Sequence, residues 1–175
     1  MMAQRILTPG ELNRATLARQ LLLERASLAT LDAIKQLAGL QAQLTNPPYI
    51  GLWSRLKDFQ RNDLTCLLEQ RQVVRTSMMR RTLHLTAAED YMHFRPALQP
   101  LHARDLDAYF NKQSANCLEK ESLIAEIQAY LQEKPRTNVD LRAKLAEMDP
   151  GMNELLLYKV RIYLPLIQVF PGGAW

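Results

Sequence analysis

Val73-Val74-Arg75-Thr76-Ser77-Met78, followed one residue later by Arg80-Arg81-Thr82-Leu83-His84-Leu85, is the stretch that decides the fold. Its first half is β-branched and carries no helical stripe. Its second half has the same extended character, so the two together predict a β-hairpin. Everything upstream reads as helix. Thr8-Pro9-Gly10-Glu11 combines a capping threonine, a proline suited to the first turn and a glutamate able to reach back, and Leu12, Ala15, Ala18 and Leu22 follow at helical spacing. This predicts a helix over 9–24. A second helix is expected over Thr30–Leu37, with Gly39 placed to end it. Asn46-Pro47-Pro48 predicts a bend, Tyr49–Leu56 a short apolar helix with Tyr49 and Trp53 in the core, and Asn62–Arg71 another helix.

Downstream of the hairpin, Thr86-Ala87-Ala88-Glu89 reads as a capping box opening a helix, and Leu98–Phe110 as a longer one. Past a polar loop at Asn111–Glu119, a helix over Glu121–Gln132 would bury Leu123, Ile127, Tyr130 and Leu131. Thr137 and Asp140 cap a helix to Met148, Asp149-Pro150-Gly151 turns, Asn153–Tyr163 is helical and Leu166–Phe170 is a strand. Short helices, then a hairpin, then the same order again predict a mainly α chain with small β-hairpins (α+β), built as tandem winged helix-turn-helix modules over 1–95 and 96–175. A generic α+β fold with an isolated hairpin satisfies the same pattern. Pro171-Gly172-Gly173 would be a hairpin tip and Ala174-Trp175 the start of a return strand, so the second wing is expected to be cut off and the chain to be a fragment.

The chain has 175 residues, 47% of them hydrophobic, with 22 Lys+Arg against 18 Asp+Glu and a formal net charge of +4. That is enough to bury a core, and it excludes wholesale disorder. Two cysteines, Cys66 and Cys117, cannot build a disulfide framework, and they join no Cys/His cluster, so no metal is assigned. No apolar run is long enough to span a membrane, and no signal-peptide pattern opens the chain, which points to a reducing, cytoplasmic compartment. Gly-rich phosphate loops and nucleophile elbows are missing, and no cofactor is expected.

Arg71, Arg75, Arg80 and Arg81 fall across the proposed wing with no acid among them. Arginine suits phosphate and minor-groove contact, so Arg75, Arg80 and Arg81 are candidate contacts to double-stranded DNA; a solvated basic hairpin is the bland alternative. His84, between Leu83 and Leu85, is a structural or substrate-facing histidine. Gln41-Ala42-Gln43 puts two carboxamides on one face of an extended segment, where one can donate to a water and the other accept from it. By itself the pattern reads far more readily as two surface amides.

Leu40-Gln41-Ala42-Gln43, Asn46-Pro47-Pro48-Tyr49-Ile50-Gly51-Leu52-Trp53-Ser54-Arg55-Leu56, Val73-Val74-Arg75-Thr76, Met79-Arg80-Arg81-Thr82-Leu83-His84-Leu85, Asp90-Tyr91 and Asn13-Arg14-Ala15-Thr16-Leu17-Ala18-Arg19-Gln20 together resemble the AlkZ-like winged-helix DNA glycosylases, over nearly all of the chain. The resemblance implies a longer protein of tandem winged helices around a DNA channel, of which this chain holds the first module and most of the second. It implies excision of alkylated bases, with unhooking of interstrand cross-links in some members. It also implies a Gln-x-Gln catalytic motif matching Gln41 and Gln43. His84 is expected with the DNA-binding residues, near the lesion. A non-catalytic winged-helix DNA-binding protein, such as a transcription regulator, is the alternative, and a protein-docking scaffold a third.

Overall fold

The computed structural model describes residues 6–112, 119–151 and 153–175. It is mostly helical with a small antiparallel sheet. The chain divides into two compact units. The first holds the residues up to Thr76, Thr82–Tyr91 and Phe170–Trp175; the second holds Ser77–Arg81 and Met92–Val169.

In the first unit the order is α1 (Pro9–Arg19), α2 (Thr30–Gln36), β1 (Leu40–Gln41), α3 (Asn46–Arg55), α4 (Arg61–Glu69), β2 (Val73–Ser77) and β3 (Leu83–Ala87). The Thr8–Glu11 capping box forms in full. The helix it opens stops at Arg19, short of the expected Glu24, where Leu21 turns left-handed at φ 55°. None of its residues is buried, so the Leu12–Leu22 stripe faces outward.

Asn46-Pro47-Pro48 is the first turn of α3, not a bend. A proline there loses nothing, because first-turn N–H groups have no intrahelical acceptor. Of the two aromatic residues expected inside, Tyr49 is buried, its hydroxyl 3.1 Å from Thr65 Oγ1. Trp53, one helical turn further on, is exposed, with the Arg25 guanidinium 4.3 Å over its ring.

The strands of this unit lie in the order β1-β3-β2. β1 is antiparallel to β3, with Leu40 opposite Leu85 and Gln41 opposite His84. β2 and β3 are adjacent strands joined by a short link, which only an antiparallel hairpin allows. The second strand begins at Leu83 and not at Arg80. Met79–Arg81 is a 3-10 turn in which Arg80 and Arg81 both take left-handed φ, 53° and 61°. The core packs Ala33 and Ile34 of α2, Tyr49 and Leu52 of α3, Leu64 and Leu68 of α4, and Ala42, Val73 and Leu85 from the sheet segments. Gly39 links α2 to β1 at φ 108°, and a Cβ there would lie 2.8 Å from the Leu85 carbonyl oxygen, so the helix approaches the sheet only because the side chain is missing.

Thr86 does not cap a helix. It sits in β3 with its hydroxyl buried and unpartnered, while Glu89 pairs with Lys35 at 2.7 Å. α5 (Ala88–Phe110) is one helix running through Pro96 and Pro100, where two had been expected. Its residues up to Tyr91 belong to the first unit.

The second unit continues with α6 (Lys120–Glu133), α7 (Asn138–Met148), α8 (Glu154–Tyr163) and β4 (Ile167–Gln168). Thr137 and Asp140 form the expected capping box, and Asn153 caps α8. Leu106, Leu123, Ile127, Leu141, Leu145, Leu156 and Val160 make its core. β4 is two residues, shorter than the Leu166–Phe170 strand expected. Residues 113–118 of the expected polar loop, Cys117 among them, lie outside the described residues. Back in the first unit, Ala174-Trp175 forms no strand. Trp175 packs edge-on against Tyr49 at 5.8 Å, and its N–H donates to the Tyr49 hydroxyl at 3.2 Å.

Candidate active site

Gln41, Ala42 and Gln43 run exposed, buried, exposed, as a strand requires of a segment with one face on the core. Ala42 is fully buried in the first unit's cluster, so the middle position anchors the motif inside. Register puts Gln41 and His84 opposite each other, and paired residues share a face of the sheet. The face they share is the one turned from Leu85 and Ala42. His84 is itself buried, and its Nδ1 lies 3.0 Å from the Thr82 carbonyl oxygen. In the neutral ring that bond makes Nδ1 the donor and Nε2 the acceptor.

The ladder beside the two glutamines is irregular in an informative way. Ala42 N–H donates to the Leu83 carbonyl at 2.7 Å. In a hydrogen-bonded antiparallel pair Leu83 N–H would return the bond to the Ala42 carbonyl. Instead the Arg75 Nε–H donates to that carbonyl at 2.8 Å. Leu83 N–H turns to the side-chain carbonyl of Gln43, 3.2 Å away. The Arg75 Nη2 group donates in addition to the Gln43 backbone carbonyl at 3.0 Å. Gln43 is thus held at both its backbone and its side chain, with the amide anchored by its Oε1 end. Leu83 N–H can only donate, so the carbonyl end is the one it holds.

Arg75 was expected on the DNA face. The structure puts it inside, 9% exposed, in a strand whose residues Val73–Thr76 are all buried. Burial pulls its pKa below the ordinary arginine value, though a guanidinium stays charged in any protein setting. Gly173, at φ 94°, lies on its stem, where a Cβ would stand 3.0 Å from Cδ.

Arg80 and Arg81 are exposed and fall in the second unit. There Arg81 forms an ion pair with Asp105, one Nη lying 2.8 Å from Oδ1. Gln41, Gln43, His84 and Arg75 come together in the first unit.

A family model described as DNA glycosylase AlkZ-like matches residues 34–175. The chain belongs to the AlkZ-like DNA glycosylase family. No match was found among the curated proteins or among the solved structures. The AlkZ-like span begins within α2 and takes in the Gln-x-Gln segment, β2, β3 and the second unit, leaving α1 outside. Among the described residues, no helix is long and apolar enough to cross a membrane. Sequence reasoning missed the joint role of Leu83 and Arg75 in this site. Leu83 acts through its backbone, which no sequence pattern reports, and the only signal for Arg75 was its place in an otherwise apolar strand.

Proposed function

We propose that this AlkZ-like chain carries the catalytic motif of a monofunctional DNA glycosylase that releases cationic, alkylated purines from duplex DNA. Gln41 and Gln43 hold the attacking water. The observation that carries the reading is the exposed–buried–exposed Gln41-Ala42-Gln43 segment, with Gln43 anchored at its carbonyl end. A purine alkylated at N7 or N3 is already positively charged, so the glycosidic bond breaks without a strong acid. What remains for the protein is to place a water against an oxocarbenium-like sugar and to stabilise its charge with carbonyl oxygens. Neutral amides are weak bases, so undamaged purines are poor substrates.

The chain order α2-β1-α3-α4-β2-β3, with strands ordered β1-β3-β2, supports reading residues 1–95 as a winged helix-turn-helix module. The run α6-α7-α8-β4 supports a second module over 96–175. Arg80 and Arg81 serve as phosphate contacts, and His84 lies beside the lesion. Interstrand cross-links of bifunctional alkylators belong to the same substrate class, since they join purines through the same cationic positions.

The test is release of 7-methylguanine from methylated duplex DNA by the protein carrying this chain. Gln41→Ala and Gln43→Ala should each slow single-turnover release by about a hundredfold while leaving DNA affinity intact. Unchanged rates in both variants would remove the catalytic assignment.

A further inference from the structure

The structure assigns Arg75 the role of a positioning residue that works through Gln43, not that of a DNA contact. The inference rests on the glycosylase reading above. Its logic is an exchange of hydrogen-bond partners. The Ala42 carbonyl and the Leu83 N–H face each other in the register of a hydrogen-bonded pair, and left alone they would bond. Arg75 prevents this by taking the Ala42 carbonyl at 2.8 Å. The N–H so displaced is taken up by Gln43 Oε1 at 3.2 Å, which fixes the side chain that the proposed chemistry needs fixed. The second arm of the guanidinium reaches the Gln43 carbonyl at 3.0 Å and holds the same residue's backbone.

The fork serves two successive carbonyls from two places, Nε holding Ala42 and Nη2 holding Gln43. Lysine puts a methylene where Arg75 carries Nε, so Arg75→Lys gives up the Ala42 carbonyl and leaves its ammonium to the Gln43 carbonyl. Released from Arg75, the Ala42 carbonyl takes back the Leu83 N–H, the ladder becomes regular and the Gln43 amide swings free. The sheet survives, and the orientation of Gln43 is lost.

The experiment is a double-mutant cycle on Arg75→Lys and Gln43→Ala. It is read by single-turnover release of 7-methylguanine, by DNA affinity and by hydrogen exchange at the Leu83 amide. Arg75→Lys is expected to slow release at least about tenfold with affinity unchanged. The double variant is expected to be no slower than the slower single variant, because both changes remove the same oriented amide. Gln43→Ala is expected to speed Leu83 exchange in the native background and to leave it unchanged in the Arg75→Lys background, where Ala42 accepts that bond. Additive losses of rate, or Leu83 exchange indifferent to Gln43, would overturn the assignment. Should Arg75→Lys fail to fold, Gln43→Ala alone decides, since unaltered Leu83 exchange would show that the side-chain bond does not exist. Absence of base release by the native protein would sink the glycosylase reading separately, and the exchange measurements would still judge the link between Arg75 and Gln43.

Discussion

Among the described residues each unit buries one arginine and aims it at backbone carbonyls, and the two do different work. Arg95, 6% exposed, lies on α5 and closes the end of α8, with Nη2 donating to the Ile162 carbonyl at 3.0 Å and to the Tyr163 carbonyl at 2.5 Å. Its Nη1 lies 2.7 Å from Nδ1 of the buried His102. The carbonyls at a helix C-terminus have no partner within the helix, and a cation there also meets the negative end of the dipole. Arg75 takes a carbonyl that would have found a donor without it. The first arginine repairs a deficit that the fold creates. The second diverts a bond that the fold would have made, and a neighbouring glutamine side chain is recruited as a result. Burial and charge are alike in the two cases, so the alternative open to the carbonyl separates scaffold from site.

The comparison breaks most visibly at Arg95. Replacing it with lysine leaves helix-end carbonyls unsatisfied in the interior, a loss of about 3 kcal/mol, against about 1 kcal/mol for Arg75→Lys, where the carbonyl re-pairs. Chemical denaturation, followed by hydrogen exchange in α8 and in β3, measures both. Equal losses would erase the distinction.

Acid sharpens it. Burial first, and then the charge of Arg95, hold the His102 pKa below its ordinary value. The native state therefore favours the neutral ring, while the unfolded chain binds a proton near pH 6.5. The second unit's full stability is present above that pH and is lost as pH falls through the depressed native value. His102→Gln should flatten the pH dependence of α8 exchange between about pH 7 and 5 and leave the first unit's profile as it was.

The smallest contrast lies in two like-built caps. Thr137→Ala should cost about 1 kcal/mol, because α7 is tied to the core by Leu141 and Leu145. Thr8→Ala should leave global stability within about 0.5 kcal/mol, because α1 buries nothing and frays alone. A melting curve for each variant decides this.

These differences explain which parts of the molecule could be read in advance. Capping boxes at Thr8 and Thr137 were legible because their bonds close within one turn. The hairpin was legible from β-branching, and Gln41 and Gln43 from strand alternation. Thr86 carried the letters of a cap and became strand, because packing against the sheet outweighed a local bond. Pro47 and Pro48 read as a break, although a first turn admits them freely. The helix expected from Thr86 and the one expected over Leu98–Phe110 are a single helix in the fold, running through Pro96 and Pro100. Arg75 was misplaced for a plainer reason: a charge in a strand does not announce which side of the sheet it faces, and its partners are carbonyls that every residue possesses.

Arg80 and Arg81 stand next to each other in a conformation that crowds Cβ against the following carbonyl, at about 1–2 kcal/mol apiece. Glycine at either position would relax the turn and stiffen the protein against unfolding. The Arg81 guanidinium has Asp105 for company, whereas that of Arg80 pairs with no described residue. The tip of this hairpin is therefore a loaded spring that holds out one unneutralised cation, and any polyanion that meets it finds the charge already extended.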